Sequence, residues 1–356
     1  MKQIPIIEAK PIADRYARGW HCLGLAADFK DGKPHTLEIF GGKLVAFQGQ
    51  DDGAIHILDA HCPHMGADLS IGQVKGDAIQ CPFHHWSWNG EGKCVDIPYC
   101  KRIPPRARTR AWTTCEENNL LFIYNDPEGN PPPPEVAIPR IDACFSGDWT
   151  PWVTNRWLFN TNCRELVDNL ADEAHFGPVH SAPNDYFANL FEGHKASQIT
   201  KGGSATLTEG GLSTYNTYFG PAYHITHMVA QQDGQTIESI LLNTHVPKDL
   251  HSFHQCFGVM VKKLPGLDEE QNDNIAQAYS KAVFDAFAQD QVIWDSKVRI
   301  DNPILCENDG PIYQLRQWYA QFYQDVAEVA PEQRERRLFE TVKRCDAPPA
   351  HHVFED

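Results

Sequence analysis

Two short segments of the chain each pair a cysteine with a histidine. The first places Cys62 two residues before His64, and the second places Cys81 three residues before His84, with sixteen residues between the segments. A proline follows each cysteine and stiffens the loop by fixing φ. Each segment can therefore bring one thiolate and one imidazole to a shared metal centre.

Two cysteines and two histidines are the ligand set of a [2Fe–2S] cluster with histidines on one iron, which raises its potential above that of an all-cysteine cluster. A structural zinc ion is the alternative, but zinc-finger spacing normally pairs Cys with Cys and His with His. The spacing favours the iron–sulfur cluster. We interpret the nearby Cys94 and Cys100 as buried thiols, and we expect His61 and His85 to be exposed or hydrogen-bonded without binding metal.

A second set of metal-binding residue types follows in the middle of the chain. Asp168, Asp172 and His175 fall at i, i+4 and i+7 of a helix predicted over 164–176, so they share one face. A Gly-Pro pair then ends this helix and lets His180 return towards His175. Two imidazoles and one carboxylate on one face of iron(II) leave the opposite face open for O2. Two ordinary histidines at a helix end are the alternative.

The third ligand of this iron must be a carboxylate from elsewhere. Asp290 lies in a predicted buried helix, where an acidic side chain needs a partner. We choose Asp290, with Asp285 and Asp295 as alternatives. Asp172 would then hold His175 by its second ring nitrogen and offer its other oxygen to a cluster ligand.

The elements that must carry these residues change in type along the chain. Residues 18–125 show short apolar, β-branched or aromatic runs separated by turn residues, and four prolines at 131–134 then end this β-rich part. The second part mixes strands with helices. Its predicted elements are the helices 164–176, 272–302 and 311–329, strands containing 239–242 and 257–261, and hairpins near 202–203 and 210–211. The pattern predicts an α+β protein with domains 1–135 and 136–356.

Composition excludes several classes of protein. The chain has 356 residues, is 42% hydrophobic and carries a net charge of −16, which argues against a nucleic-acid or anionic-membrane partner. It lacks an apolar run long enough to span a membrane. The start, Met1 to Pro5, has no signal-peptide features, so we expect a cytoplasmic protein whose eleven cysteines are metal ligands and buried thiols.

Together, in this order and at this separation, the two motifs resemble the Rieske non-haem iron oxygenase α-subunit family over nearly the whole chain. The opening at 17–21, Ala-Arg-Gly-Trp-His, is similar to the start of the family's Rieske domain. Further stretches resemble one branch, the oxygenase components of 3-ketosteroid 9α-hydroxylase. These stretches are 165–169, 186–194, 299–303 and 307–311.

The resemblance implies an all-β Rieske domain followed by a helix-grip (START-like) catalytic domain with an antiparallel sheet. It implies head-to-tail homotrimers in which Asp172 bridges His175 to His84 of the neighbouring subunit. The resemblance also implies that electrons from NAD(P)H come through a separate flavin and iron–sulfur reductase, and the chain shows no dinucleotide fingerprint of its own. The implied reaction uses O2 to hydroxylate a bulky hydrophobic substrate, most closely a 3-ketosteroid at the 9α position.

Other functions are compatible with the same residues. A monooxygenase performing oxidative N- or O-dealkylation, or hydroxylating a non-steroid aromatic compound, would begin with the same attack on a C–H bond. An electron carrier with an inert second domain would lack the mononuclear iron, and a zinc-stabilised binding module would lack both iron centres. Polar Asn184 and Asp185, beside the predicted iron site, are expected to shape the substrate entrance.

Overall fold

The computed structural model describes residues 15–204, 208–232 and 234–348. The N-terminal segment used above to argue against a signal peptide lies outside these ranges. Within them, no helix is both long enough and apolar enough to cross a membrane.

The N-terminal part is β-rich, as predicted, and its described residues form strands, turns and short 3-10 helices but no α-helix. Its strands form three antiparallel sheets with the orders β1-β11-β10, β2-β3-β4-β9 and β5-β6-β7-β8. The strands are β1 (Gly19–Leu25), β2 (His35–Ile39), β3 (Gly42–Gln48), β4 (Ile55–Asp59), β5 (Gln73–Lys75), β6 (Ala78–Gln80), β7 (Ser87–Asn89), β8 (Cys94–Asp96), β9 (Ala111–Trp112), β10 (Thr114–Glu117) and β11 (Leu120–Asn125). The smallest strands surround the two Cys/His segments.

One large antiparallel sheet dominates the C-terminal part. Its order is β12-β18-β17-β16-β15-β14-β13-β19, so the last strand of the described residues, β19, pairs with β13 at one edge. The strands are β12 (Val153–Phe159), β13 (Asn184–Glu192), β14 (Lys195–Ser204), β15 (Thr208–Phe219), β16 (Tyr223–Gln232), β17 (Gln235–Pro247), β18 (Phe253–Val261) and β19 (Arg337–Lys343). The predicted strands at 239–242 and 257–261 are confirmed as parts of β17 and β18.

Four α-helices accompany this sheet in the described part of the chain. They are α1 (Arg164–Asp168), α2 (Phe176–His180), α3 (Glu269–Trp294) and α4 (Ile312–Ala320). Helix α3 begins with a capping box, in which the Asp268 carboxylate accepts the Gln271 amide and the Gln271 side chain accepts the Asp268 amide. Its buried positions, among them Ala276, Val283 and Asp290, lie on one face that covers the sheet.

The helix predicted over 164–176 is wrong. The structure has α1 and α2 with a turn between them, and the Gly-Pro pair lies inside α2, where proline is tolerated in the first turn. The helix is interrupted because the Leu170 carbonyl accepts hydrogen bonds from the side chains of Asn189 and Gln198. The helices predicted at 272–302 and 311–329 exist but are shorter, and they end at Trp294 and Ala320.

The two parts share a buried apolar core. Trp20 and Phe122 from the N-terminal strands pack in one cluster with Tyr223 and Leu242 from the large sheet. The opposite face of that sheet packs Leu241, Phe257 and other apolar residues against α3. The α+β architecture, an all-β domain followed by a domain with an antiparallel sheet, is therefore confirmed. The predicted boundary between residues 135 and 136 stays a prediction.

Candidate metal centres

The two Cys/His loops have the same backbone geometry. In each loop the cysteine carbonyl accepts the amide four residues later, from Gly66 in the first loop and from His85 in the second. The cysteine amide in turn donates to the carbonyl five residues later. Gly66 and His85 both have positive φ, at +80° and +60°. The equivalent turns present Cys62 and Cys81 in the same way.

The four predicted ligands separate into a thiol pair and an imidazole pair. Cys62 and Cys81 are buried and interact, and the His64 and His84 ring centroids lie 4.7 Å apart. Burial raises the pKa of the Cys62 thiol, and the adjacent Cys81 thiol raises it further. The Nδ1 atom of His84 is buried without a hydrogen-bond partner, which suits a metal ligand.

This arrangement fits a cluster of two irons better than one zinc ion. Tetrahedral zinc holds its ligand atoms within about 3.8 Å of one another, given Zn–S bonds of about 2.3 Å. The four residues of the Cys/His loops do not bring three or more ligand atoms within 4.8 Å of one another. In the described part of the chain, the only His/Cys/Asp/Glu group that does so is His175, His180 and Asp290. Their wider spacing, with thiols and imidazoles paired separately, leaves room for a binuclear cluster.

The residues next to these ligands mostly follow the sequence interpretation. Cys94 is buried, and His61 and His85 are exposed, as expected. The prediction that Cys100 is a buried thiol is wrong, because this residue is exposed on a turn after β8.

The second candidate centre unites His175, His180 and Asp290. Their ligand atoms all lie within 4.8 Å of one another, and the His180 Nε2 atom is 3.4 Å from an Asp290 carboxylate oxygen. His175 Nδ1 donates to the Asp172 carbonyl at 2.6 Å, and His180 Nδ1 donates to the Gln289 side-chain oxygen at 3.1 Å. Each imidazole therefore presents its Nε2 atom to the common space, as metal-bound histidines do.

Of the three candidate carboxylates, the structure brings only Asp290 to the histidines. Asp290 is buried, whereas Asp285 is exposed and paired with Lys281, and Asp295 is exposed after the end of α3. Burial lowers the pKa of His180, but Asp290 and the hydrogen bond with Gln289 together raise it by more, so the net shift is upward. A buried carboxylate beside two imidazoles is the donor set that iron(II) accepts.

Asp172 contacts His175, but not as the sequence suggested. Asp172 lies between α1 and α2 and outside both, so the prediction that it shares a helix face with His175 is wrong. The closest contact with His175 is made by the main-chain carbonyl of Asp172, which accepts a hydrogen bond from the imidazole. The Asp172 carboxylate lies 3.7 Å from His175 Nδ1 and is 39% exposed. It can therefore contact both this histidine and a group from outside the chain.

A buried ion network fixes the segments on either side of this centre. Glu165 in α1 is only 1% exposed and binds Lys297 at 2.7 Å and Arg299 at 2.9 Å. Asp168 binds Arg316 of α4 at 2.6 Å. The network ties the segment that leads to His175 to the segment that follows α3.

Replacing Glu165 by glutamine should destabilise the protein by about 2 kcal/mol, because Lys297 and Arg299 would lose charged hydrogen bonds at a buried position, although Arg299 keeps Asp168 and Asp301 as partners. Burial alone would raise the pKa of Glu165, but Lys297 and Arg299 lower it by more. Since the folded pKa lies below the unfolded one, this stabilisation is present above the unfolded pKa and is lost as the pH falls through the folded pKa.

Chemical denaturation of wild type and E165Q at several acidic pH values measures both effects. The stability gap should shrink as the pH falls. The E192Q variant, which removes a carboxylate from an exposed pair with Arg336, should change stability little. A gap that stays constant at all pH values would contradict the assignment.

Gly310 supports the loop that carries Asp172. Its φ is +86°, and a Cβ atom there would lie 2.0 Å from the Ala171 carbonyl oxygen. We expect the G310A variant to lose more stability than the roughly 1–2 kcal/mol that a left-handed conformation costs. Gly266, with φ +83° and open space around it, gives the matched control G266A. Equal losses in the two variants, measured by denaturation, would show that the close contact is unimportant.

Several contacting residues were not found from the sequence. Gln289 orients His180, and the Asn169 side chain donates to Asp290 at 3.4 Å. Trp86 stacks on His64 with ring centroids 4.4 Å apart. Closeness in the sequence to a predicted ligand could have pointed to some of them, since Gln289 directly precedes Asp290 and Trp86 lies two residues after His84. Buried Asn184 donates to Glu173 at 3.4 Å, while Asp185 is exposed.

Comparison with protein-family models matches both parts of the chain. Residues 19–109 match the Rieske [2Fe-2S] domain, and residues 123–323 match the 3-ketosteroid 9alpha-hydroxylase C-terminal domain. The Rieske domain and the His175–His180–Asp290 group bear out the expected cofactors, a [2Fe–2S] cluster and a mononuclear iron.

Known proteins resemble the chain over nearly its whole length. A 3-ketosteroid-9-alpha-monooxygenase oxygenase component of Rhodococcus rhodochrous is 49% identical over 349 residues, which cover 96% of this chain and 91% of the relative. Its counterpart from Mycobacterium tuberculosis is 46% identical over 339 residues, covering 93% and 88%. Cholesterol 7-desaturase of Caenorhabditis elegans is 27% identical over 347 residues, covering 86% and 77%.

Solved structures share the fold at lower identity. Dicamba monooxygenase bound to dicamba superposes with a TM-score of 0.70 at 20% identity, covering 89% of this chain and 99% of the other. NdmA of Pseudomonas putida CBB5 with caffeine gives a TM-score of 0.71 at 18% identity, covering 87% and 92%.

Fold and site together define a Rieske-type non-haem iron monooxygenase. Its relatives are oxygenase components, which need O2, an organic substrate and a separate reductase. Within this class, the chain belongs to the 3-ketosteroid 9α-hydroxylase oxygenase family.

Proposed function

We propose that this protein hydroxylates a 3-ketosteroid at the 9α position. The observation that carries the proposal is the 49% identity, over 96% of the chain, to a relative named for that reaction. The sheet face that packs against α3 combines apolar and polar side chains, which is the mixture that a rigid hydrophobic molecule with polar ends requires. Apolar Met228, Leu241 and Phe257 lie on this face, and Asn216 and Thr226 lie beside them in a hydrogen-bonded polar row.

We assign the metal ligands as follows. Cys62 and Cys81 would hold one iron of the cluster and His64 and His84 the other, while His175, His180 and Asp290 would hold the mononuclear iron. The supporting observations are the paired thiols and imidazoles, the buried Nδ1 atom of His84, and the convergence of the three remaining side chains. When bound, these centres supply electron transfer and O2 activation.

Asp172 is proposed to link the two kinds of centre between subunits. In a head-to-tail homotrimer its exposed carboxylate would accept a hydrogen bond from His84 of the next subunit while its carbonyl orients His175. Two exposed apolar surfaces support such contacts. One, at the cluster loops, includes Met65 and Phe83, and the other, near the iron centre, includes Val292 and Val298. A head-to-tail contact that closes as a ring would cover both surfaces in every subunit.

The electron source is proposed to be a flavin and iron–sulfur reductase that oxidises NAD(P)H in the cytoplasm. The support for a separate donor is that the relatives are named as oxygenase components. The proposed domain division at residues 135 and 136 would leave the whole cluster-binding part in the first domain.

A turnover screen tests the substrate proposal. The protein, loaded with iron and sulfide and supplied with a surrogate reductase, would be offered 3-ketosteroids, aromatic ethers and aromatic amines. We expect NADH consumption coupled to a steroid product heavier by one oxygen atom. Coupled consumption only with an ether or amine, with loss of an alkyl group, would instead establish the dealkylation alternative.

A further inference from the structure

One stretch of the N-terminal domain has a charge opposite to that of the whole protein. Residues 101–110, here called the basic strip, contain five basic residues and no acidic one, in a chain with 31 basic and 47 acidic residues. All five basic side chains are exposed. They are Lys101, Arg102, Arg106, Arg108 and Arg110.

The charges of the basic strip form no close ion pairs among the described residues, although Glu91 interacts with Arg108 at longer range. Among the described residues, none of the five has a carboxylate within 4 Å, whereas the interior arginines Arg299 and Arg316 are paired. Arg110 instead stacks on the Trp112 ring, 3.6 Å from its centroid. The strip therefore presents its positive charge to the solvent, where an approaching molecule can meet it.

The basic strip borders the loops of the cluster. A groove of about 690 Å³ is lined by Arg108 and Arg110 together with His61 and Pro63, the two neighbours of Cys62. A positively charged groove thus leads directly to the first cluster loop.

An aromatic contact joins the same surface to a cluster ligand. Tyr99, two residues before the basic strip, is 62% exposed, and its hydroxyl accepts a hydrogen bond from Trp86 Nε1 at 2.7 Å. Trp86 is stacked on His64, with the ring planes 10° apart. A short packed path therefore connects the surface at Tyr99 with His64.

We propose that the basic strip and Tyr99 form the docking surface for the protein that reduces the cluster, and that this partner presents an acidic face. The inference rests on the proposed function, because it assumes a cluster held by His64. In the step concerned, the reduced partner loses one electron and the cluster gains one, and no atom is transferred. Electrons would enter on the His64 side and leave on the His84 side.

Charge complementarity gives this surface a defined role in association. A protein with net charge −16 repels an acidic partner over most of its surface, and a local positive patch gives the encounter one favoured orientation. Such steering raises association rates by about 10-fold to 1,000-fold and weakens as salt is added. The patch would thus place the donor beside the cluster and away from other surfaces.

The charge-reversal variant R106E/R108E tests this proposal. The probe is a reduced plant-type [2Fe–2S] ferredoxin with an acidic surface, whose potential lies below that of Rieske clusters. We expect its second-order rate of cluster reduction, followed by stopped-flow absorbance at low ionic strength, to fall at least about tenfold. Titration with oxidised ferredoxin, which requires no turnover, should show a matching loss of binding.

Two controls separate docking from general effects. The variant K201E/R344E makes the same change in net charge at exposed residues of the large sheet domain, one in β14 and one directly after β19, and it should keep the wild-type rate. Reduced methyl viologen, a small cation, should reduce the cluster of R106E/R108E at least as fast as that of the wild type. This second result also shows that the variant is folded and holds its cluster.

The possible failures are distinguishable. If methyl viologen finds no reducible cluster even in the wild type, the proposed function itself fails. If the cluster is reducible but ferredoxin reduces R106E/R108E at the wild-type rate, the docking proposal is wrong. The same conclusion follows if the rate of cluster reduction falls equally in R106E/R108E and K201E/R344E. The docking proposal is also wrong if R106E/R108E lowers the oligomeric mass in light scattering, because the basic strip would then be a contact between copies.

Discussion

Replacing Asp290 by alanine is expected to remove the mononuclear iron and leave the cluster intact. Two imidazoles alone, from His175 and His180, give too few protein ligands for stable iron(II) binding, because the carboxylate completes the set. Iron should fall from about three to about two atoms per chain, with the cluster's visible spectrum unchanged. Turnover should fall to background, since the site for O2 is lost.

The two rejected candidates provide matched controls for Asp290. Asp285 lies five residues before it on the same helix, and Asp295 lies five residues after it, and both are exposed. D285A and D295A should keep about three irons per chain and normal turnover. Iron loss in either control, or full iron content in D290A, would mean that the ligand assignment is wrong.

Replacing Asp172 by alanine is expected to uncouple the two centres without emptying either. The variant removes the exposed carboxylate but keeps the main-chain carbonyl that orients His175. Iron content and the cluster spectrum should therefore match the wild type, and the cluster should still accept an electron. Steady-state turnover should fall by at least about a hundredfold, comparable to the upper range for loss of a group that supports a metal ligand.

The location of the block distinguishes a relay from a binding defect. In D172A the reduced cluster should persist when substrate and O2 are added, while in the wild type it should be reoxidised within the time of one turnover. The exposed carboxylate of Asp295 is removed in D295A, which should behave as wild type. Rapid reoxidation of the cluster in D172A, with product formed, would rule out the relay.

The proposed ligands of the cluster could be grouped from the sequence because their spacing is local. Cys62 and His64, like Cys81 and His84, lie in tight loops whose hydrogen bonds join residues four and five positions apart, so residue type and separation were enough to select them as candidates. For the third ligand of the mononuclear iron, the sequence only limited the choice to Asp285, Asp290 and Asp295. The distance between Asp290 and His180 depends on how α3 packs against α2, which the sequence pattern does not contain.

The error at 164–176 has a tertiary cause. Apolar periodicity favoured one helix, but the Leu170 carbonyl is occupied by Asn189 and Gln198 from strands that the sequence does not place nearby. The same loop receives Gly310 from a segment far along the chain. Contacts of this kind override local helical preference, and single-sequence patterns do not contain them.

The stretches that carried the family resemblance turn out to contact one another. Glu165 and Asp168, from the first stretch, both bind Arg299 from the third. Gly310, from the fourth, packs against Ala171 just before Asp172. These residues lie outside the candidate metal group of His175, His180 and Asp290, and their contacts hold together the segments that surround it.

The central claim is that one chain holds two separate iron sites of different composition. Its most direct test is the content of iron, acid-labile sulfide and zinc in protein reconstituted anaerobically, measured together with the EPR spectrum after reduction. We predict about three irons, about two sulfides and no stoichiometric zinc per chain, with the signal of a histidine-ligated [2Fe–2S] cluster. Colourless protein with one zinc per chain and no sulfide would contradict the account.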